Sequence, residues 1–102
     1  MIRVLIMYPN EEGKRFDWEY YLNNHKALVH EKLDGLGLAR IEADRGIGTA
    51  QPDAPAPYVA VGHLYYNTME DFQRCMSCSD ALMADIPNFT DIQPQIQISE
   101  VL

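Results

Sequence analysis

The sequence predicts an α+β domain of the ferredoxin-like kind, a four-stranded antiparallel sheet carrying two helices on one face. Three observations predict it. Apolar residues recur at period two in four short segments and at three- and four-residue steps in two longer ones, the signatures of strands and amphipathic helices. These segments succeed one another as β-α-β-β-α-β. Right-handed crossovers then interleave the two halves into a single plait with both helices on the same side.

The whole chain of 102 residues reads as one domain, long enough to bury a core without disulfides or metals. A net charge of -7, with only eight Lys and Arg, leaves no basic stripe to neutralise phosphates. Nucleic acid and anionic membrane surfaces are therefore excluded as partners. The opening apolar run is too short, and too interrupted by Arg3, for a signal peptide or a membrane span. The expected location is cytoplasmic.

Residues 1–8 alternate Ile2, Val4, Ile6 and Tyr8 against Arg3, Leu5 and Met7. Both faces are mostly apolar, which predicts a central strand covered on both sides. The polar turn at residues 9–14 leads into the best-defined element, at residues 15–37. There Asp17 is an N-cap, Phe16 and Tyr21 are placed for a hydrophobic staple, and Gly35 with Gly37 supplies a stop. Trp18, Tyr21, Leu22, His25, Leu28, Val29 and Leu33 share one face. His25 falls within roughly 20° of the centre of that stripe.

Residues 38–47 return to period two, with Arg40, Glu42 and Asp44 directed away from Ile41 and Ala43. Three prolines stiffen the connection at residues 48–57, which is long for a hairpin loop. Residues 58–66 form the third strand, with Val59, Val61, His63 and Tyr65 on one face and Tyr58, Ala60, Gly62, Leu64 and Tyr66 on the other. Thr68, with Asp71 three residues on, caps a second helix. Its apolar face runs continuously through Phe72, Cys75, Met76, Ser79, Leu82, Met83 and Ile86 to a stop at Pro87. Residues 92–101 alternate strictly, as a half-buried strand does, with Pro94 near the start where a missing N–H is tolerated.

Cys75 and Cys78 lie inside the second helical pattern, with no second ligand pair, and so read as reduced structural thiols. Two helices cannot cover both apolar faces of the sheet. The uncovered face predicts a two-fold homodimer.

The motifs Tyr8-Pro9-Asn10, Arg15-Phe16-Asp17, Tyr20-Tyr21 and His25 come first along the chain. Tyr58 with His63 and Asn88-Phe89-Thr90-Asp91 follow, before a Pro-x-Ile-Gln-Ile strand. Together they resemble the EthD-like family over nearly the whole chain. The resemblance implies a dimeric α+β barrel, in which two ferredoxin-like sheets close face to face. It also implies a role in small-molecule catabolism, among relatives of the fold that include cofactor-free monooxygenases, lactone isomerases, polyketide-modifying lyases and haem-dependent enzymes. Fold alone does not choose among these chemistries.

In a plait the stripe of the first helix faces the sheet, so His25 points into the helix–sheet layer. The expected site has His25 and Tyr21 as its reacting pair. Tyr8, Trp18, Tyr58, His63, Phe89 and Asp91 are the expected ligand-binding residues, Asp91 being brought near His25 by the resemblance alone. Histidine suits proton transfer near neutral pH, and an apolar cleft with a few converging polar groups suits a small hydrophobic molecule. Lys32 snorkels from the helix end, and His30 lies off the stripe in solvent.

The expected activity is that of a cofactor-free enzyme, monooxygenase-like or a lyase or isomerase, acting on a small hydrophobic oxygenated compound. A metal triad has no supporting local spacing. Haem ligation by His25 or His63 is a minor alternative carried by fold analogy. Two further alternatives are a non-catalytic dimeric accessory protein that holds a lipophilic metabolite or serves an oxygenase, and a purely structural His25, buried neutral and hydrogen-bonded.

Overall fold

The computed structural model describes residues 1–102. Four strands, β1 (Ile2–Pro9), β2 (Leu38–Arg45), β3 (Tyr58–Tyr66) and β4 (Gln95–Glu100), form one sheet in the order β2-β3-β1-β4. Every neighbouring pair is antiparallel. Ile6 lies opposite Gly62 and Ile96, Val4 opposite Leu64 and Ile98, and Ile41 opposite Leu64. These residues share the face that the helices cover, as the alternation predicts. The plait is ferredoxin-like.

Helix α1 occupies residues 18–33, and its start follows from its cap. Asp17 holds φ -85° and its carboxylate accepts the Tyr20 N–H at 3.1 Å. Phe16 meets Tyr21 edge-on at 5.0 Å, which closes the staple. After the helix, Gly35 and Gly37 take φ of 86° and 121°, a region side chains disfavour. His30 lies off the buried stripe and pairs with Asp34 at 3.1 Å.

The core has two parts, with Ile6 packed against both. Val29 and Leu33 of α1 meet Ile2, Val4, Tyr66, Phe72, Cys75 and Leu82 in one. In the other, Tyr8, Tyr21, Ala60, Ile86 and Ile92 surround Phe89, which is fully buried.

Two expectations need correction. The second helical segment is broken into α2 (Met69–Met76) and α3 (Asp80–Asp85), followed by a 3₁₀ turn at Ile86–Asn88. Serines cause the break: Ser77 Oγ donates to the Arg74 carbonyl at 2.7 Å and Ser79 Oγ to that of Met76 at 2.9 Å. Local hydroxyl bonds of this kind compete with helix continuation. Cys78 consequently lies in an exposed turn, whereas Cys75 is buried; both are free thiols.

Strand β1 is central in the sheet, as its apolar alternation predicts. Ile2, Val4 and Tyr8 are buried, but Leu5 and Met7 on the opposite face are only half-buried, so helices cover this strand on one side. The second correction concerns β4, which begins after Pro94 and runs along the sheet edge. Ile96 and Ile98 point to the helix side yet stay 49% and 48% exposed, because an edge strand lies at the margin of the helical layer.

The open face is not wholly apolar. Around Leu5, Met7 and Val61 it carries Tyr65, whose hydroxyl donates to Glu42 at 2.9 Å and whose ring lies 4.0 Å beneath the Arg40 guanidinium. His63 bonds Asp44 through Nε2 at 2.7 Å on this same face. Arg3 Nε and His63 Nδ1 are buried without a partner.

Candidate active site

The first helix does not run as a plain α-helix through its centre. Tyr21–His25 form a π-helical turn, in which the Lys26 N–H reaches back five residues to the Tyr21 carbonyl. Single π-turns inside α-helices occur frequently at functional sites. Here the Tyr21 and His25 rings lie nearly parallel, 12° apart in plane with centroids 6.0 Å apart.

His25 is buried, and its Nδ1 lies 2.8 Å from Asp85 Oδ2. Asp85 stands at the end of α3, where its other oxygen accepts the Tyr20 hydroxyl at 2.7 Å and the Asn88 amide at 2.9 Å. Burial pushes the Asp85 carboxyl upward. Bonds from Tyr20, Asn88 and His25 outweigh that and hold it below its ordinary value. An ionised carboxylate only accepts, so Nδ1 carries the proton toward Asp85. In the neutral ring, Nε2 then keeps its lone pair. The bond to Asp85 also raises the Tyr20 hydroxyl, which stays a donor.

Beside this pair lies a cavity of about 220 Å³ between α1, the β2–β3 side of the sheet and α3. Val29, Ile41, Leu64, Leu82 and Ile86 supply much of its apolar wall, and Tyr8, Tyr21 and His25 bring polar atoms to it. Burial pushes the Tyr21 hydroxyl up to about 12, helped by the charge of Asp44. Burial, and then the neighbouring Tyr21, raise Tyr8 as well. Both phenols are therefore hydrogen-bond donors at neutral pH. Gly62 makes room for one of them, since a Cβ there would stand 3.1 Å from the Tyr21 oxygen.

The structure brings Tyr8, Tyr21 and His25 together and sets Phe89 behind the imidazole at 4.7 Å. Trp18 packs on Phe16 and Tyr21, under the Arg45 guanidinium, and so buttresses Tyr21 rather than lining the cavity. Tyr58 turns its hydroxyl to Gln95 at 3.1 Å, away from the cavity. Asp91 pairs with Arg15 at the surface at 3.3 Å, so the carboxylate that meets His25 is Asp85 and not Asp91. The His63 ring sits on the opposite face of the sheet from His25, because Gly62 and Leu64 take the helix side. Only the strand backbone at His63 is within reach of the cavity wall.

Sequence reasoning missed Asp85, Tyr20, Asn88 and Gly62. One signal pointed to Gly62: Ala60 and Gly62 are the small residues of β3, on the face where a large side chain must approach the backbone. No group of three or more His, Cys, Asp or Glu side chains is arranged to hold a metal ion. No helix is long and apolar enough to cross a membrane.

Residues 11–93, which include His25 and Asp85, match the EthD domain. The chain belongs to the EthD family. Among solved structures, an EthD-like protein from Ralstonia eutropha JMP134 is 37% identical, with a TM-score of 0.90 over 99% of this chain and 91% of that one. An EthD family protein from Bacillus halodurans C-125 is 23% identical, with a TM-score of 0.75 over 100% and 99% of the two chains. A dimeric ferredoxin-like protein from an uncultured marine organism is 15% identical, with a TM-score of 0.62 over 99% and 93%, and shares the fold. No curated protein matches this EthD family chain.

Proposed function

We propose that this EthD family chain is an enzyme that moves a proton on a small hydrophobic oxygenated compound, with His25 as the acid–base group and Tyr21 as a hydrogen-bond donor to the reacting oxygen. One observation carries the reading. Asp85 fixes Nδ1 of a buried histidine at 2.8 Å, while the ring lines an apolar cavity with its other nitrogen unpartnered. A carboxylate so placed orients the imidazole, sets its tautomer and stabilises the imidazolium formed when the base takes a proton. Packing alone would not require the free nitrogen to face a cavity.

No cofactor enters this proposal. The cavity suits a single ring rather than a macrocycle as wide as haem, and the two histidines lie on opposite faces of the sheet. The homodimer belongs to the proposal too, supported by the open face with Leu5, Met7 and Val61 and by ferredoxin-like neighbours described as dimeric.

The test is ¹⁵N NMR of the His25 ring during titration with small cyclic and phenyl ethers, esters and ketones. A reacting His25 shows a shift at Nε2, but not Nδ1, on binding. A ring that ignores every compound refutes the reading. The apolar wall favours one rival, a non-catalytic carrier of a lipophilic metabolite. In that case the compounds bind His25→Gln as well as the natural chain, and neither protein alters them.

A further inference from the structure

The polar atoms of the cavity form a set with a definite chemical complement. The Tyr8 hydroxyl, the Tyr21 hydroxyl and His25 Nε2 have no hydrogen-bond partner in the protein, although the three residues are only 1%, 7% and 8% exposed. None of the three atoms is sealed off from the cavity, since the buried orphans of the protein are Arg3 Nε and His63 Nδ1. The Tyr8 and Tyr21 rings meet edge to face at 6.0 Å, on a central strand and on the π-turn above it. Two phenol donors and one base therefore face a mostly apolar space, which Lys26 and Glu42 also line. An oxygen with two lone pairs satisfies both donors, and an acidic hydrogen one bond further along satisfies the base.

We propose that the cavity takes a ring-sized ketone or ester with a C–H beside its carbonyl, and that Tyr8 and Tyr21 together hold the carbonyl oxygen while His25 removes that proton. The proposal rests on the reading of His25 as the base and adds the substrate class and the role of Tyr8. The size agrees. An apolar cavity of about 150 Å³ accepts benzene, so about 220 Å³ holds one ring with a small substituent.

In the step, the C–H bond adjacent to the carbonyl breaks and its proton passes to Nε2. The electron pair of that bond becomes a C=C bond, and the carbonyl π pair moves onto oxygen. The resulting enolate oxygen accepts from both phenols, and Asp85 faces the new imidazolium. Return of the proton to the same carbon gives exchange; return to another carbon of a conjugated ring gives isomerisation. No oxidant or reductant is needed. The apolar wall strengthens both donor bonds, since preorganised donors act most strongly where water is excluded.

The experiment follows hydrogen–deuterium exchange at the ring carbons flanking the carbonyl of cyclohexanone in D₂O by NMR. It compares the natural chain with Tyr8→Phe, Tyr21→Phe and His25→Gln at one pH, against free imidazole at equal concentration. The natural chain is expected to outpace imidazole, and each Tyr→Phe change to slow exchange by about 10²-fold, the effect of losing one oxyanion donor. His25→Gln is expected to abolish the acceleration. Each Tyr→Phe change removes only an unpartnered hydroxyl, so its melting temperature should match that of the natural chain and separate lost chemistry from lost fold.

Unchanged exchange in both tyrosine variants, with loss in His25→Gln, overturns the donor pair and leaves the base. Exchange in the natural chain no faster than in imidazole overturns the enolising assignment. His25 as a proton-transfer group then stands or falls on its ¹⁵N response.

Discussion

In the proposed site Asp85 does two things for the residue it touches: it keeps the proton on Nδ1 and faces the imidazolium that the proposed proton transfer forms. Asp85→Asn keeps the shape but turns the carboxylate into a neutral amide that also donates, so the ring is free to place its proton on Nε2 instead. A loss of exchange activity of at least about 10²-fold is expected, with a changed Nε2 signal in the ¹⁵N spectrum, because a wrong tautomer disables a base held in place. Stability should respond at low pH. The folded carboxyl is held below its ordinary 3.8 by Tyr20, Asn88 and His25 against burial, so the folded state binds this proton more weakly than the unfolded chain. The contribution is complete above the ordinary value and drains away as pH falls through the lower folded one. Urea midpoints measured from pH 6 to pH 2 should drop less steeply in Asp85→Asn than in the natural chain. The residues of the cavity were partly legible in sequence. Tyr21 and His25 lie on the stripe of a well-capped helix, and Tyr8 lies on the apolar side of β1. Asp85 was not legible. It stands 60 residues from His25, and periodicity carries no information on which polar residue at one helix end meets another helix.

At the scale of elements, the π-turn at Tyr21–His25 and the glycine beneath it act as a matched pair. The sequence called for a helix here and the helix is present, but its extra residue per turn leaves no mark in a three- and four-residue pattern. Gly62→Ala probes the fit. Its Cβ would stand 3.1 Å from the Tyr21 oxygen and displace the ring. The cost should stay within the roughly 1–3 kcal/mol typical of overpacking, seen as a lower urea midpoint. Cyclohexanone exchange should fall further than that stability loss explains. The break between α2 and α3 has a similar origin. Ser79 sits on the apolar stripe of a helical pattern, yet Ser77 and Ser79 bond backward to the chain and end the helix early. That early end carries Asp85 and Asn88 to the site.

For the whole molecule, the order of the elements was legible, because β-α-β-β-α-β with right-handed crossovers admits one compact plait. The extent of covering was not, since two half-apolar faces look alike until the helices choose one. Small Ala60 and Gly62 marked the chosen side. On the other, Leu5 and Met7 stay half-buried, Arg3 Nε lacks an acceptor, and His63 Nδ1, whose ring directs its Nε2 proton to Asp44, lacks a donor. The natural chain is expected to sediment at twice its 11.6 kDa at micromolar concentration. Met7→Lys on the open face should give a folded monomer with the same far-ultraviolet circular dichroism. A natural chain that sediments as a monomer would refute the pairing.

The segment that carries Asp85 is stitched to the start of α1: Phe89 O accepts the Asp17 N–H at 2.7 Å, Thr90 Oγ1 donates to the Arg15 carbonyl at 2.7 Å, and Arg15 reaches the Pro87 carbonyl. In time as well as in space, this makes the site a late product. On the ribosome, the base and both phenols are made first, within residues 8–25, and the carboxylate follows only after two more strands and a helix. A nascent chain therefore carries His25 without its Asp85 partner through most of synthesis. The His25–Asp85 pair forms only when the last quarter of the chain folds back onto the first.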